Sequence, residues 1–285
     1  MEINSCIAGI WVGDSHPVRI MGVLNLGPES FYKGSVVNTA KDATAKAVQM
    51  VDDGAEFLDL GAVSTAPGVS KISSEKERAK LIPVLKAVLD AVDVPISVDT
   101  YRSEIALETL KLGARIINDV SGFTKDAKMV KVLAEYDAPS VIMATQKKIG
   151  DPLTMPKIID CLKRSIEHAM KNNYEPKNIV VDPAIGRWVP EKTYQYNLDI
   201  IKQLTMLEEL KRPILVGISR KSFIHEILDR PDPNDRLAGT LSTTAIAVYN
   251  GAHIVRTHDV AVTSDVVRIA KLLRDKSSDK AEMNL

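Results

Sequence analysis

The stretch ISVDTYRSEIALETLKLGARIINDV, residues 96–120, has the pattern of a strand, a helix and a second strand. Its helical segment ends at Gly113, and glycine just past a helix tolerates the left-handed conformation that satisfies the last helical carbonyls. The same helix end, turn and strand start recur at Gly54 in GAEFL and at Gly251 in GAHIV. The repeated unit is therefore a helix followed by a strand, which is typical of α/β proteins with a parallel sheet.

Eight short runs of apolar and β-branched residues alternate with helix-patterned segments along the chain. Such runs are typical of parallel strands that helices cover on both faces. At this chain length, eight units favour a single-domain (β/α)8 TIM barrel over an open doubly wound sheet. The chain contains neither the G-x-G-x-x-G fingerprint nor the Walker phosphate loop that nucleotide-binding open sheets carry. The runs are IMGVLNL, EFLDLG, PISVDT, RIINDV, SVIMA, NIVVDP, PILVGIS and HIVRTH.

We expect the barrel to span residues 17–274, with a short extension at each end. Residues 1–16 precede Pro17 and are expected to form a small hairpin that closes the barrel floor. Residues 275–285 are rich in Lys, Ser and Asp and are expected to form a frayed tail.

The composition is that of an ordinary globular protein of 285 residues, 45% of them hydrophobic. The 37 Lys and Arg residues balance 37 Asp and Glu residues, so no net field draws the chain to nucleic acid or an anionic membrane. There is no secretion-signal pattern and no apolar run near the ~20 residues that span a bilayer. The two cysteines, Cys6 and Cys161, match no paired metal or redox spacing. We therefore expect a cytoplasmic protein that binds neither nucleic acid nor membranes.

Polar residues end or directly follow most of the predicted strands, and a parallel barrel brings all these ends to one rim. Asp99 and Asp182 each close an apolar run, where a carboxylate finds a cationic or hydrogen-bonding partner or takes a proton. Each is a candidate ligand anchor, and the alternative is that it caps the following helix. Asn118 offers a donor and an acceptor to a heterocycle, or else braces its turn. The strand-end residues are Asn25, Asp59, Asp99, Asn118, Asp182, Lys221, Arg256 and His258.

Cationic residues follow the last two predicted strands. The segment SRKSF places Arg220, Lys221 and two hydroxyls where a strand meets its helix, a position that often receives anions. A solvated helix start is the alternative for this segment. In RTHD, Arg256 and His258 alternate and so point the same way, as a diphosphate clamp requires. Asn25 is placed to reach a magnesium ion carried in by the diphosphate, since Mg²⁺ takes few protein ligands.

Six collinear segments between about Arg19 and Val260 resemble the dihydropteroate synthases, a family of pterin-binding TIM barrels. DTYR, IINDVSG, SRKSF and RxHD in this order are highly specific to pterin-binding barrels, and the last two indicate the synthase branch. The segments are MGVLNLGPESF (21–31), GAEFLDLGAVSTAPG (54–68), ISVDTYRSEIALETLKLGARIINDVSG (96–122), VDPAIG (181–186), PILVGISRKSFI (213–224) and RLAGTLSTTAIAVYNGAHIVRTHDV (236–260).

The resemblance implies a homodimeric (β/α)8 transferase with Mg²⁺ as its cofactor. It implies that 6-hydroxymethyl-7,8-dihydropterin diphosphate condenses with an arylamine and that diphosphate is released. Carried over residue by residue, the catalytic group is Lys221, Arg256 and His258, and the metal contact is Asn25. The pterin contacts are Asp99, Asn118, Met143, Asp182 and Lys221. The diphosphate and loop contacts are Ser64, Thr65, Arg256 and His258.

Four segments depart from the family pattern. Gly27, Glu29, Tyr32 and Lys33 replace residues of the usual TPDSFSDGG, and Ala66 replaces the arginine of STRPG. The usual HMKG is replaced by Ala144-Thr145-Gln146, and the usual DPGIGFGK becomes DPAIGRW.

The lost arginine belongs to the arylamine side of the family's site, so the departures suggest a changed arylamine. Besides p-aminobenzoate and folate synthesis, we consider an archaeal-type variant that uses the larger ribofuranosyl-aminobenzene phosphate of tetrahydromethanopterin pathways. Arg187 or Lys147 would meet its phosphate.

Two rival functions are considered. A pterin-dependent methyltransferase, which moves a methyl group from a methyl-tetrahydropterin to a corrinoid protein, shares the barrel and the pterin contacts but needs no diphosphate clamp. A noncatalytic pterin-binding barrel would not retain Asn25, Lys221, Arg256 and His258 together. The presence of SRKSF and RTHD favours the synthase.

Overall fold

The computed structural model describes residues 2–26, 39–62 and 72–282. Ten strands lie in this part of the chain. They are β1 (Asn4–Ile7), β2 (Ile10–Gly13), β3 (Arg19–Asn25), β4 (Phe57–Gly61), β5 (Ile96–Asp99), β6 (Ile116–Asp119), β7 (Ser140–Met143), β8 (Ile179–Asp182), β9 (Leu215–Val216) and β10 (Ile254–Thr257).

Strands β3 to β10 form one eight-stranded parallel sheet in the order β8-β7-β6-β5-β4-β3-β10-β9. The two ends of this sheet meet, because Val181 of β8 forms a parallel bridge with Ile214 just before β9. The Val181 N–H donates to the Pro213 carbonyl at 2.9 Å. The prediction of a (β/α)8 barrel is confirmed.

The helices cover the outside of this barrel with their apolar faces. In α1, Ala43, Ala47 and Met50 are buried at helical spacing, and the Thr39 side chain accepts from the Asp42 N–H at the N-terminus. Gly113 ends α3 at φ 119°, as its position after the helical pattern predicts. The helices are α1 (Ala40–Asp52), α2 (Ser74–Leu89), α3 (Ser103–Leu112), α4 (Met129–Glu135), α5 (Met155–Lys171), α6 (Tyr194–Lys202), α7 (Ser222–Leu228), α8 (Leu237–Tyr249) and α9 (Val260–Glu282).

Strands β1 and β2 pair antiparallel as a hairpin at the amino-terminal end of the barrel. Its buried Ile7 and Val12 belong to an apolar cluster with residues of the barrel strands, including Met21 and Phe57. The hairpin therefore covers the floor of the barrel and leaves the carboxyl ends of the strands at the opposite end.

Helix α9 includes part of the segment from residue 275, which we expect to be a frayed tail. Helix α9 continues to Glu282. Adding a residue to an existing helix requires no new nucleation, and fraying of this end stays a prediction.

Between residues 2 and 282, outside the two gaps at 27–38 and 63–71, no helix is long and apolar enough to cross a bilayer.

Candidate active site

The strand register brings the predicted site residues to one rim of the barrel. Asn25 is aligned with Gly61, Gly61 with Asp99, and Asp99 with Asn118. On the other side of the rim, Met143 is aligned with Asp182. Residues more than 150 positions apart in the chain thus share one level of the barrel, because each terminates a neighbouring parallel strand.

Arg256, on β10, is tied to a carboxylate inside the barrel. Its Nε donates to Oδ2 of Asp59 at 2.7 Å, and its Nη2 lies 3.8 Å from Oδ2 of Asp99. Asn118 Nδ2 donates to the same oxygen of Asp59 at 3.1 Å. The side chain of Asp59 is 0% exposed, so Asp59 holds a pterin candidate and a diphosphate candidate in one buried network.

Asp59 is one of the polar strand-end residues named above, but we assigned it no substrate contact. The available signal was a lone carboxylate within the otherwise apolar FLDLG, whose five positions are all buried in β4.

Lys221 lies on the same side of the barrel mouth as Arg256. A Cβ placed on Gly217 would be 3.7 Å from Lys221 Nζ and 3.9 Å from Arg256 Cβ. The ammonium of Lys221 donates to the Ile185 carbonyl at 2.5 Å. Burial lowers the pKa of Lys221 to about 8, against the opposing effect of Asp182. The acidic and basic candidates therefore face one space.

The two strand-end aspartates have raised pKa values. Burial and then the neighbouring Asp59 raise the pKa of Asp99 to about 8. Burial also raises the pKa of Asp182, which the Lys221 ammonium partly offsets. The capping alternative holds in part for Asp182, since its Oδ1 accepts from the Ala184 N–H at 2.7 Å. Carboxylates in such a setting gain most from a ligand that supplies N–H donors.

His258 connects Asn25 with the segment after β9. Its Nδ1 lies 2.9 Å from Oγ of Ser219, and its Nε2 lies 3.4 Å from Nδ2 of Asn25. Burial, and then the charge of Arg256, lower the pKa of His258 to about 3, so the imidazole is neutral at pH 7. The side chains of Ser219, His258 and Asn25 are therefore adjacent to one another and lie near the charge of Arg256.

Arg220 does not join Lys221 at the mouth, contrary to what we expected from SRKSF. Its guanidinium binds both oxygens of Asp259, with Nε–Oδ2 at 2.8 Å and Nη2–Oδ1 at 2.7 Å. Its Nη1 donates to the carbonyls of Pro233 and Asn234. Arg220 therefore holds the segment before α8 against the start of α9.

Of the two cations proposed for a phosphorylated arylamine, one is paired with a carboxylate and the other is exposed. Arg187 Nη1 pairs with Oε1 of Glu226 at 3.0 Å. Lys147 is exposed, and its backbone N–H donates to Asp151. Other predictions fall on residues 27–38 and 63–71, outside the described residues. These concern Ser64 and Thr65, and the departures at Gly27, Glu29, Tyr32, Lys33 and Ala66.

Comparisons with known proteins identify the family. Residues 21–258 match the model of the family described as pterin binding enzyme. The chain is 38% identical over 254 residues to a dihydropteroate synthase of Bacillus subtilis, covering 89% of this chain and 87% of that protein.

Two solved structures are also similar. A dihydropteroate synthase from Clostridium difficile, crystallised in the presence of pteroic acid, has a TM-score of 0.82 and 40% identity, covering 90% of this chain and 97% of that one. A dihydropteroate synthase from Xanthomonas albilineans with 4-aminobenzoic acid has a TM-score of 0.83 and 29% identity, covering 96% and 99%. The barrel, the shared rim and these similarities show that the chain belongs to the pterin-binding enzyme family, among its dihydropteroate synthases.

Proposed function

We propose that this protein condenses 6-hydroxymethyl-7,8-dihydropterin diphosphate with p-aminobenzoate in folate biosynthesis and releases diphosphate. The observation that carries the proposal is the single rim on which acidic groups for a heterocycle lie beside cations for a leaving diphosphate. The relatives are named dihydropteroate synthases, and one solved relative holds 4-aminobenzoic acid.

The pterin would bind to the acidic side of the rim. Its 2-amino-4-oxo pyrimidine edge presents adjacent N–H donors, which suit the carboxylates of Asp99 and Asp182. Asn118 and Lys221 would bind the remaining polar atoms, and Met143, which is 2% exposed, would line the pocket. Binding would favour ionised Asp99, because hydrogen bonds to a carboxylate lower its pKa.

The diphosphate would lie toward Arg256 and His258. The bond between the exocyclic methylene carbon and the diphosphate oxygen breaks, and its electron pair leaves with the diphosphate. The lone pair of the arylamine nitrogen forms the new C–N bond, and that nitrogen then loses a proton. Negative charge grows on the leaving group, so the fixed guanidinium of Arg256 stabilises the transition state more than the bound substrate.

Magnesium is part of this proposal. Mg²⁺ usually takes one or two protein oxygen ligands and completes its shell with water and substrate phosphates. Among the residues described, no cluster of three His, Cys, Asp or Glu side chains forms a metal cage. The amide of Asn25, beside His258, fits a cation that arrives with the diphosphate. When bound, Mg²⁺ would neutralise part of the leaving group's charge.

The alternatives are less well supported. Methyl transfer to a corrinoid protein is not favoured, because the similar proteins are dihydropteroate synthases. The ribofuranosyl-aminobenzene phosphate would need a cation. Of the two candidates, Arg187 is already paired with Glu226 and Lys147 is exposed, while one similar structure holds 4-aminobenzoic acid. We therefore propose p-aminobenzoate as the arylamine.

We also propose that the protein is a cytoplasmic homodimer. Helices α8 and α9 pack against each other and carry large apolar side chains that are between 46% and 63% exposed, which a contact with a second subunit would cover. They are Ile246, Tyr249, Ile269 and Leu272. Light scattering on the purified protein tests this proposal, and a monomer at micromolar concentration would contradict it.

A coupled assay tests the proposed reaction. The purified protein receives the pterin diphosphate, Mg²⁺ and either p-aminobenzoate or the ribofuranosyl-aminobenzene phosphate, and diphosphate release and coupled product are measured. A separate reaction contains methyl-tetrahydropterin and a corrinoid protein. Coupled product with p-aminobenzoate supports the proposal. Preference for the bulkier amine, or methyl transfer instead, would overturn it.

A further inference from the structure

A buried lysine joins the loop after β7 to the loop after β8. Lys192 is 0% exposed, and its Nζ donates to the Gly150 carbonyl at 3.1 Å and to the Ala184 carbonyl at 2.7 Å. A buried ammonium persists only where hydrogen bonds and charges compensate its lost hydration. Lys192 therefore holds the two loops together at fixed points of their backbones.

Trp188 packs directly against Gly150, one of the two residues whose carbonyls Lys192 binds. Gly150 has φ 67°, and a Cβ placed on it would be 2.3 Å from Cγ and 2.6 Å from Cβ and Cδ1 of Trp188. No real side chain tolerates such distances, so only glycine permits this contact between the indole and the loop backbone.

The indole in turn contacts Lys221. Trp188 Nε1 and Lys221 Nζ both donate to the Ile185 carbonyl, at 3.3 and 2.5 Å. The Lys221 ammonium also lies 5.1 Å from the centre of the indole ring, within the range of a cation–π interaction. Trp188 thus limits where the Lys221 ammonium can lie.

Lys192 is also connected to Asp182. Ala184 donates its N–H to Asp182 and accepts from Lys192 through its carbonyl, so one residue transmits the position of Lys192 to Asp182. Burial raises the pKa of Asp182, and Lys192 is among the cations that oppose this rise. Both proposed pterin contacts of this region, Asp182 and Lys221, therefore depend on the joined loops.

We propose that Lys192 and Trp188 are positioning residues for pterin recognition, a role that rests on the function proposed above. Lys192 fixes Gly150 relative to Ala184, and Trp188, lying on Gly150, holds the Lys221 ammonium beside Asp182. In this role both side chains act through Lys221 and Asp182 and not on the reacting atoms themselves. The contact between Trp188 and Gly150 also joins the two segments that depart from the family pattern, the one from Ala144 and the one around Trp188. These two departures in sequence therefore lie together in the structure.

The test compares Lys192→Met and Gly150→Ala in a Trp11→Phe parent, in which Trp188 is the remaining tryptophan of the two in the chain. Trp11 is 54% exposed on the floor hairpin, far from the rim. Lys202→Met is the matched control, because Lys202 is exposed on α6. Three quantities are measured: the Kd of pterin-6-carboxylate by calorimetry, the KM and kcat for both substrates, and the emission of Trp188 with its quenching by acrylamide.

We expect Lys192→Met and Gly150→Ala each to raise the Kd for pterin and the KM for the pterin diphosphate by about tenfold to 100-fold. This is the range expected when charged hydrogen bonds are lost or a contact is displaced by about 1 Å. The KM for p-aminobenzoate should change by less than about threefold, since the disrupted hydrogen bonds lie on the pterin side. The emission of Trp188 should shift to the red and become easier to quench. In the protein that retains Trp11, Trp188→Phe should keep near-normal pterin binding and Trp188→Leu should lose it, because phenylalanine retains a ring face for the ammonium.

The outcomes separate this role from the function itself. Failure of the Trp11→Phe parent to bind any pterin overturns the proposed function and the role with it. A parent that binds pterin, with Kd and KM unchanged in Lys192→Met and Gly150→Ala, overturns the role alone. If Lys192→Met does not fold, Gly150→Ala decides, because it removes no hydrogen-bonding group.

Discussion

Replacing Asp59 by asparagine tests the buried network under the proposed site. Asp59 accepts hydrogen bonds from Arg256 at 2.7 Å and from Asn118 at 3.1 Å, and its side chain is fully buried. Asp59→Asn keeps the size of the side chain and removes its charge. The guanidinium of Arg256 then loses its nearest counter-charge and is left with Asp99, 3.8 Å away.

The magnitude follows from this geometry. Removing one partner of a buried ion pair costs about 3–5 kcal/mol. Asp99 can take over part of the pairing, so we expect a loss of about 2–3 kcal/mol in the free energy of unfolding, at or below the lower end of that range. In a domain of this size that corresponds to a fall in Tm of about 3–5 °C. Since the charge of Asp59 helps to raise the pKa of Asp99 to about 8, the pKa of Asp99 should also fall.

Urea denaturation monitored by circular dichroism measures the stability, and the pH dependence of pterin binding measures the shift of Asp99. Glu56→Gln is the control, because Glu56 pairs with Arg19 at the other end of the barrel and its side chain is 33% exposed. Exposed pairs contribute about 0–1 kcal/mol. An Asp59→Asn protein with the urea midpoint and pH profile of the wild type would refute the reasoning.

Three further predictions concern single charged groups. Because the pKa of Asp99 is raised from 3.8 to about 8, the substrate-free protein should lose stability as the pH rises through this window. Asp99→Asn should remove that slope in urea midpoints and weaken pterin binding by about tenfold to 100-fold, and a retained slope would contradict this. Lys221→Ala should abolish turnover while the far-ultraviolet circular dichroism spectrum stays unchanged. Turnover of the wild type should fall as the pH rises past about 8, where Lys221 loses its proton. An unchanged rate in the variant would contradict the assignment of Lys221. At the barrel floor, the hydrogen bond with His253 lowers the pKa of Asp14. The stability that this hydrogen bond adds is therefore present above pH 3.8 and is lost as the pH falls through the lowered pKa of Asp14. Since Asp14 is 39% exposed, Asp14→Asn should cost less than about 1 kcal/mol at pH 7, and an equal cost at pH 2 would contradict this origin.

Much of the fold follows from local patterns in the sequence. Hydrophobic periodicity separates helices from strands because burial of one helical face, or of both faces of a strand, depends on spacing along the chain. The glycine after α3 adopts the left-handed conformation because its position at the helix end requires it. The polar strand ends were also readable, since a parallel barrel places all such ends at one rim.

Other features depended on contacts that no local pattern encodes. Arg220 and Lys221 are adjacent in SRKSF, yet only Lys221 faces the mouth, because Asp259 and two carbonyls of another loop bind Arg220.

The sequence by itself determined the barrel class, the order of its units and the chemistry that reaches the rim. These properties depend on the spacing and type of neighbouring residues. Tertiary structure decided which charges meet: Asp59 and Arg256 are 197 positions apart, and Trp188 lies on Gly150 in another loop. The physical reason is that Coulomb and hydrogen-bond energies depend on distances of a few ångströms, which are set only when the barrel closes.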